Sequence, residues 1–228
     1  GNFLVHDYQV AAAVSDHPVK ITLPGPLTIT DTTADAHYGD PSKLAADLAD
    51  ALNKEVRALA EAGCRYIQID EPLFARNVEA ARSYGIDNLE RCFNGVPKSV
   101  TRVMHMCCGY PNHLDQTDYQ KADPGSYFEL AADMNASSID QVSIEDAHRH
   151  NDLSLLEEFS DTTIIFGVAA IAMSKVESVP EIQQRVAQAL NHIDRDRLWL
   201  APDCGLGFLS RDLAMAKLSN MCAAAATF

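Results

Sequence analysis

The sequence is short of basic residues, and this shortage limits the partners that the protein can have. Its 228 residues include 18 Lys and Arg against 32 Asp and Glu, which gives a formal net charge of -14. An acidic surface repels a phosphate backbone, and no cluster of Lys and Arg offsets that repulsion. We therefore expect no nucleic-acid partner.

Long apolar runs are also absent. No stretch approaches the roughly 18 apolar residues that a membrane-spanning helix needs, and the residues from Gly1 onward lack the pattern of a secretory signal peptide. The six cysteines are scattered along the chain rather than spaced as in a small disulfide-bonded domain. Several of them lie in apolar or helical segments, as reduced thiols do. These absences predict a cytoplasmic protein without a membrane partner.

Strand and helix patterns alternate along the chain, which predicts an α/β fold with a parallel sheet. The predicted strands are 19–23, 64–69, 100–107, 139–144, 162–168 and 197–201. The predicted helices are 8–14, 43–62, 78–93, 126–135, 152–159, 180–193 and 209–226. Pro24 and Pro26 predict a sharp break after the first strand.

Two folds show this alternation, the doubly wound sheet and the (β/α)₈ barrel. No Gly-x-Gly-x-x-Gly motif follows any predicted strand, so the main signature of a dinucleotide-binding doubly wound sheet is missing. Six strands are two fewer than a closed barrel contains. We therefore predict an α/β, TIM-like barrel whose first strands lie upstream of Gly1, with residues 1–228 as one incomplete domain.

The third predicted strand carries two side chains of metal-binding type on one face. His105 and Cys107 are two residues apart, so in an extended strand their side chains leave on the same side. Imidazole nitrogen and thiolate sulfur are both ligands of tetrahedral zinc. A buried His beside a buried Cys is also ordinary in a protein core. A metal site therefore requires further ligands from elsewhere in the chain.

Other reactive residues also follow predicted strands. The set at the carboxyl ends of the strands is Asp70, Glu71, His105, Cys107, Glu145 and Cys204. A barrel gathers these ends into one mouth, which favours a common site there. The segment 110–124 is a polar loop with two prolines, and it is long enough to act as a lid.

These strand ends resemble the catalytic barrel of cobalamin-independent methionine synthases and their relatives, the epoxyalkane:coenzyme M transferases. The matching segments are Ile67-Gln-Ile-Asp-Glu-Pro72, His105-Met-Cys107, Ser143-Ile-Glu145 and Pro202-Asp-Cys-Gly-Leu206. The likeness extends from about residue 19 to residue 225. The resemblance implies that His105, Cys107, Glu145 and Cys204 hold a catalytic zinc ion.

This implied ligand set suits thiol chemistry. Two thiolates, a carboxylate and an imidazole make zinc a poor Lewis acid for hydrolysis, whereas coordination deprotonates a thiol outright. We expect a substrate thiol to displace Glu145, which is the predicted catalytic residue, and then to attack a carbon electrophile. The expected function is zinc-dependent transfer of a methyl or alkyl group to a thiol.

Five residues are candidates for substrate binding: Asp70, Glu71, Tyr110, His148 and Arg149. In the resembling synthases the acid equivalent to Asp70 contacts the amino group of homocysteine, which implies the same role here. Glu71 is equally consistent with a helix cap or an ion pair. Tyr110, His148 and Arg149 follow ligand positions and offer groups for an anionic tail or for proton donation, although an ordinary loop role is the alternative.

The sequence departs from the methionine synthases at one catalytic position. Those enzymes carry Asp-Ile-His after the strand equivalent to 162–168, and that His is taken to protonate the leaving folate. Here Ala170-Ile171-Ala172 stands in its place, and the loop after Cys107 is longer. We therefore expect a donor other than methyltetrahydrofolate, and we favour a coenzyme M transferase-like reaction with an epoxide, methylcobalamin or a small sulfonium.

Three alternatives stay open. The first is a cobalamin-linked homocysteine methyltransferase, the second a metal-free barrel like the porphyrinogen decarboxylases, and the third a structural zinc site. Structural sites usually take closely spaced Cys pairs, whereas these ligands spread over about a hundred residues. The expected partners are a small-molecule thiol and a small carbon electrophile, and a homo-oligomer is considered as well.

Overall fold

The structure, a computed structural model, describes residues 3–228. Its strands are β1 (Lys20–Pro24), β2 (Tyr66–Asp70), β3 (Thr101–Met106), β4 (Gln141–Ile144), β5 (Thr163–Ala169) and β6 (Leu198–Pro202). Its helices are α1 (Phe3–Val14), α2 (Pro26–Thr32), α3 (Pro41–Glu61), α4 (Val78–Ala80), α5 (Ile86–Cys92), α6 (Ser126–Ala136), α7 (Val179–Ala189) and α8 (Arg211–Ala225). A π-helical turn at Ala81–Gly85 joins α4 to α5, and 3₁₀ turns lie at Leu153–Glu158 and Arg195–Arg197. Among the described helices, none is long and apolar enough to cross a bilayer.

The six strands form one sheet in which every neighbouring pair is parallel and the strand order follows the chain. A doubly wound sheet reverses its order at a switch point, and this sheet does not. The sheet also curls, because the rings of Tyr66 on β2 and Trp199 on β6 lie 6.0 Å apart between centroids. The predicted α/β, TIM-like barrel fold is confirmed for these six strands.

The two faces of the curled sheet differ in polarity. Ile67 and Ile69 of β2 and Met104 of β3 are buried in the hydrophobic core. The residues that alternate with them include Gln68 and His105, which are polar. Successive strand residues point to opposite faces, so the outer face packs against the helices while the inner face of the barrel wall is polar.

Each predicted strand lies within about two residues of the observed one. Helix α3 starts at Pro41, two residues before the predicted start, because the Asp40 side chain accepts hydrogen bonds from the backbone N–H groups of Ser42 and Lys43. The first helix is longer than predicted and begins at Phe3, and α7 ends earlier, at Ala189. The predicted short helix 152–159 is a 3₁₀ turn.

Helix α2 was not predicted, because its N-terminal cap comes from a distant part of the chain. Its residues include Thr and Ile, which have only modest helix propensity. Glu71, directly after β2, accepts hydrogen bonds from the backbone N–H groups of Leu27 and Thr28, both at 2.9 Å, and from Thr28 Oγ1 at 2.7 Å. The carboxylate thereby satisfies helix-terminal donors that no neighbouring residue caps.

The contact between Gly25 and Glu71 gives a test of this cap. A Cβ atom added at Gly25 would lie 2.2 Å from Glu71 Cδ. Gly25→Ala should push the carboxylate off α2 and lower the free energy of unfolding by about 2 kcal/mol or more. Gly205→Ala is the control, since its added Cβ meets no atom within 4 Å and should change stability by less than about 0.5 kcal/mol. Urea unfolding followed by circular dichroism measures both, and equal effects would contradict the account.

Candidate active site

Three of the four predicted metal ligands meet at the carboxyl end of the sheet. The ligand atoms of His105, Cys107 and Cys204 all lie within 4.8 Å of one another. His105 belongs to β3, Cys107 follows that strand, and Cys204 follows β6. We call this group the His-Cys-Cys cluster. Its side chains are the types that could hold a metal ion.

The hydrogen bonds of His105 fit a metal ligand. Its Nδ1 atom lies 3.0 Å from Ser143 Oγ on the neighbouring strand β4. Its Nε2 atom is buried and has no hydrogen-bond partner among residues 3–228. A buried polar atom without a partner costs about 1–3 kcal/mol, whereas a metal-binding His commonly uses its second nitrogen for an orienting hydrogen bond. The ring is therefore oriented so that its Nε2 atom could bind a metal ion.

The two cysteines have opposite pKa shifts. The hydrogen bond with Cys107, helped by His105, lowers the pKa of Cys204 to about 4. The hydrogen bond to Cys204, burial, and the charges of Cys204 and Glu145 raise the pKa of Cys107. A metal ion that binds both sulfur atoms would displace the proton that the two thiols retain between them.

Glu145, the fourth predicted ligand, lies beside the His-Cys-Cys cluster but outside it. Its side chain is only 3% exposed, and its Oε1 atom accepts a hydrogen bond from Lys121 Nζ at 3.1 Å. Lys121 belongs to the loop 110–124, and no pattern in the sequence pointed to this residue. The ligand and gating roles of Glu145 stay predictions.

A buried carboxylate that sequence reasoning missed positions the loop after Glu145. Asp203 accepts hydrogen bonds from the backbone N–H groups of Asp146, Ala147 and His148 at 2.9, 2.9 and 2.7 Å. Burial raises the pKa of Asp203 to about 7, against these three hydrogen bonds. A Cβ atom at Gly167 on β5 would lie 2.1 Å from Asp203 Oδ1, so this position requires glycine. The sequence feature that could have pointed to this role is the position of Asp203 directly before Cys204.

Asp70 lies on the inner face of the sheet next to His105, its register partner on β3. Its Oδ1 atom accepts a hydrogen bond from Gln68 Nε2 at 2.6 Å, and Gln68 in turn accepts one from Lys20 Nζ. Burial raises the pKa of Asp70. The structure therefore brings Asp70 to the His-Cys-Cys cluster, and its substrate-binding role stays a prediction.

Glu71 faces a different part of the molecule. Its carboxylate is fully buried against α2, where both oxygens accept hydrogen bonds. Burial raises its pKa to about 7. This geometry gives Glu71 a structural role, and a substrate contact by this residue stays a prediction that the geometry does not favour.

The imidazole of His148 is fixed by backbone groups of the segment where the methionine synthases carry their acid. Its Nε2 atom accepts hydrogen bonds from the backbone N–H groups of Ile171 and Ala172 at 3.0 and 3.2 Å. Burial and the charge of Lys121 lower its pKa. Because Nε2 accepts from these two backbone donors, the ring is neutral and its proton lies on Nδ1. Nδ1 can donate a hydrogen bond, and Nε2 carries no proton.

Tyr110 and Arg149 attach the loop to its surroundings. The Tyr110 hydroxyl donates a hydrogen bond to the carbonyl of Gly205 at 2.8 Å, next to Cys204. Arg149 Nη1 donates to the carbonyl of Ala122 at 2.7 Å. Its Nη2 atom is buried and finds no partner within the part of the chain that the structure describes. This guanidinium therefore keeps a free donor for a ligand, and both substrate-binding roles stay predictions.

The loop 110–124 covers the end of β5. The backbone N–H of Asp115 donates to the carbonyl of Ala172 at 2.7 Å, and the Asp115 carboxylate accepts from the backbone N–H of Ser174 at 2.7 Å. Nearer β3, the backbone N–H of Ala122 donates to the carbonyl of Cys108 at 2.7 Å. Ala172 is consequently fully buried. We call the loop 110–124 the lid.

Comparisons with known proteins agree with this geometry. Residues 2–227 match the family model described as the catalytic domain of cobalamin-independent synthases. The chain is 33% identical over 221 residues to a methionine synthase of Saccharolobus solfataricus, covering 96% of this chain and 61% of that protein. It is 31% identical over 204 residues to a methionine synthase of Thermococcus kodakarensis, covering 89% and 55%.

A solved structure of a B12-independent methionine synthase from Shewanella sp. W3-18-1, in complex with selenomethionine, is also similar. Its TM-score is 0.90 at 31% identity, over 98% of this chain and 66% of that chain. This chain spans 55% to 61% of the length of the two curated relatives.

Asp203→Asn tests how the loop after Glu145 is held. In this variant the side-chain NH₂ of Asn replaces a carboxylate oxygen that accepts from a backbone N–H in wild type. That N–H loses its acceptor, so the free energy of unfolding should fall by about 1–3 kcal/mol. The amides of residues 146–148 should exchange faster with deuterium. Asp152→Asn is the control, because Asp152 caps a 3₁₀ turn and Asn caps about as well as Asp. Unchanged exchange at 146–148 in Asp203→Asn would contradict the assignment.

Proposed function

Because the chain belongs to the cobalamin-independent methionine synthase family, we propose that it transfers a methyl group, or another small alkyl group, to a substrate thiol at a zinc centre. The observation that carries this proposal is the His-Cys-Cys cluster, with its ligand atoms within 4.8 Å. Glu145 is the proposed fourth ligand and the one that the thiol displaces. The relatives reported above are named methionine synthases, so homocysteine is the first candidate thiol.

The donor set supports zinc. One imidazole nitrogen and two sulfur atoms match the ligands that zinc takes in proteins, and the orphaned Nε2 atom of His105 supplies a ready binding position. When bound, zinc supplies a site at which a thiol loses its proton and becomes a nucleophile. The chain's own residues then have two tasks, which are to orient the thiol and to exclude water.

The charges around the cluster support a small polar thiol. Asp70 is a carboxylate held in place by Gln68, so it offers a partner for an ammonium group. Arg149 keeps one buried guanidinium nitrogen free of protein partners in the described chain, so it offers a partner for an anion. An amino-acid thiol such as homocysteine carries both groups and would use both residues. The sulfonate thiol coenzyme M, the second candidate, would use Arg149 alone.

The end of β5 supports a donor that leaves without protonation. Ala170-Ile171-Ala172 offers no acidic group and is buried beneath the lid, and His148 is neutral with its Nε2 atom occupied by backbone N–H groups. A leaving folate needs a proton from the enzyme, whereas a sulfonium leaves as a neutral thioether and methylcobalamin as the reduced cobalamin. We therefore propose one of these two donors. Opening of an epoxide by a thiolate leaves an alkoxide that needs a proton, so this segment does not favour an epoxide.

The metal centre can be tested without any substrate. The purified protein should bind about one zinc ion, with two sulfur neighbours near 2.3 Å in zinc-edge X-ray absorption. Under dialysis conditions in which wild type keeps its zinc ion, His105→Ala and Cys204→Ala should lose the ion. Glu145→Gln should keep most of it. Cys222→Ala is the control, because Cys222 is an exposed residue of α8. Only nitrogen and oxygen neighbours around the metal would overturn the proposal.

The donor can be tested with the zinc-loaded enzyme, offering homocysteine and coenzyme M in parallel as acceptors. We expect methylated thiol from methylcobalamin or an S-methyl sulfonium and none from methyltetrahydrofolate, because the chain lacks the imidazole at Ala172. Mass spectrometry of the thioether product measures both. Turnover with methyltetrahydrofolate alone would refute the donor assignment. Gain of that turnover in Ala172→His would identify the missing imidazole as the cause.

A further inference from the structure

The ion pair between the lid and Glu145 is largely buried. Lys121 Nζ lies 3.1 Å from Glu145 Oε1, and the two side chains are 16% and 3% exposed. Surface ion pairs contribute little, since water solvates both partners in their absence. A carboxylate as buried as that of Glu145 has no such alternative, so removal of its partner is costly.

Lys121 is held in place by the hydrogen bonds of the next residue, Ala122. The backbone N–H of Ala122 donates to the carbonyl of Cys108, and Arg149 donates to the carbonyl of Ala122, both at 2.7 Å. The ammonium lies 5.0 Å from the centroid of the Tyr119 ring, which favours the cation. The lid therefore presents a positive charge at a defined position next to Glu145.

We propose that Lys121 is a positioning residue that receives the Glu145 carboxylate when a substrate thiol takes its place at the metal. This inference rests on the proposed function and deepens it. A buried carboxylate that leaves a metal ion needs a second positive partner, and Lys121 is already within hydrogen-bond distance. When the thiol replaces Glu145, the carboxylate would move from the metal ion to the Lys121 ammonium and would not be left buried without a positive partner.

The same contact makes the lid responsive to the thiol. Lys121 also lines a cavity of about 430 Å³, so its side chain has open space beside the lid while Glu145 binds the metal. Once the thiol is bound, Lys121 pairs with Glu145 and holds the lid over the cluster. Water is then excluded at the stage when the nucleophile is present.

The test follows thiol uptake at the metal rather than turnover. L-homocysteine is titrated into zinc-loaded wild type, Lys121→Met and Lys121→Arg, and zinc-edge absorption counts the sulfur neighbours. Wild type should change from two sulfur neighbours to three. Lys121→Met should hold the same amount of zinc but need at least about tenfold more thiol, and Lys121→Arg should recover most of the affinity.

A double-mutant cycle separates this role from a merely structural latch. Glu145→Gln removes the charge that Lys121 receives, so adding Lys121→Met to it should change thiol affinity by less than about twofold. A Lys121 side chain that acts on the lid independently of Glu145, for example through the Tyr119 ring, would weaken affinity equally in both backgrounds, and that result would overturn the proposal. Lys175→Met is the matched control, since Lys175 pairs with Glu181 on the surface and should change nothing.

The outcomes also separate this inference from the function on which it rests. If wild type never gains a third sulfur neighbour, the thiol does not reach the metal, and the proposed function fails together with the role of Lys121. If wild type and Lys121→Met gain it at the same thiol concentration, only the role of Lys121 is overturned. Loss of zinc from Lys121→Met would overturn it as well, because Lys121 would then be supporting the cluster itself.

Discussion

The hydrogen bonds of the buried Asp203 carboxylate connect the two chain segments on which the site depends. Asp203 directly precedes Cys204, and its oxygens accept from the loop that follows Glu145. Gly167 leaves the space that this contact needs. In a site shielded from water such hydrogen bonds are strong and an unpaired donor is expensive. The position of Cys204 relative to Glu145 therefore depends on Asp203, whose two oxygens accept from backbone N–H groups.

The two faces of the curled sheet contribute differently, the outer face to the hydrophobic core and the inner face to the site. Its outer face supplies the apolar side chains of the core, while its inner face carries the row from Lys20 through Gln68 to Asp70. That row ends beside His105, whose ring is oriented by Ser143 on the next strand. Parallel strands bring such groups to one end of the sheet, where the chemistry of barrel enzymes is found.

The two sides of the site have different relations to the methionine synthases that the sequence resembles. The thiol side keeps the His-Cys-Cys cluster and Asp70. On the donor side, the lid is bonded to Ala172, and His148 is fixed against the same segment. The lid also brings Lys121 to Glu145. The chain thus pairs the proposed thiol site with a covered segment at the end of β5, which is the physical basis for proposing a different donor.

The sequence by itself determined the six strands and the placement of His105 and Cys107 on one face, because both depend on local periodicity. It also indicated the cluster through the reactive residues at strand ends. Only the tertiary structure decided that Glu71 caps α2, that Asp203 holds the loop after Glu145, and that Lys121 pairs with Glu145. These contacts join residues far apart in the chain, and their energies depend on burial and on exact partners that no local pattern records.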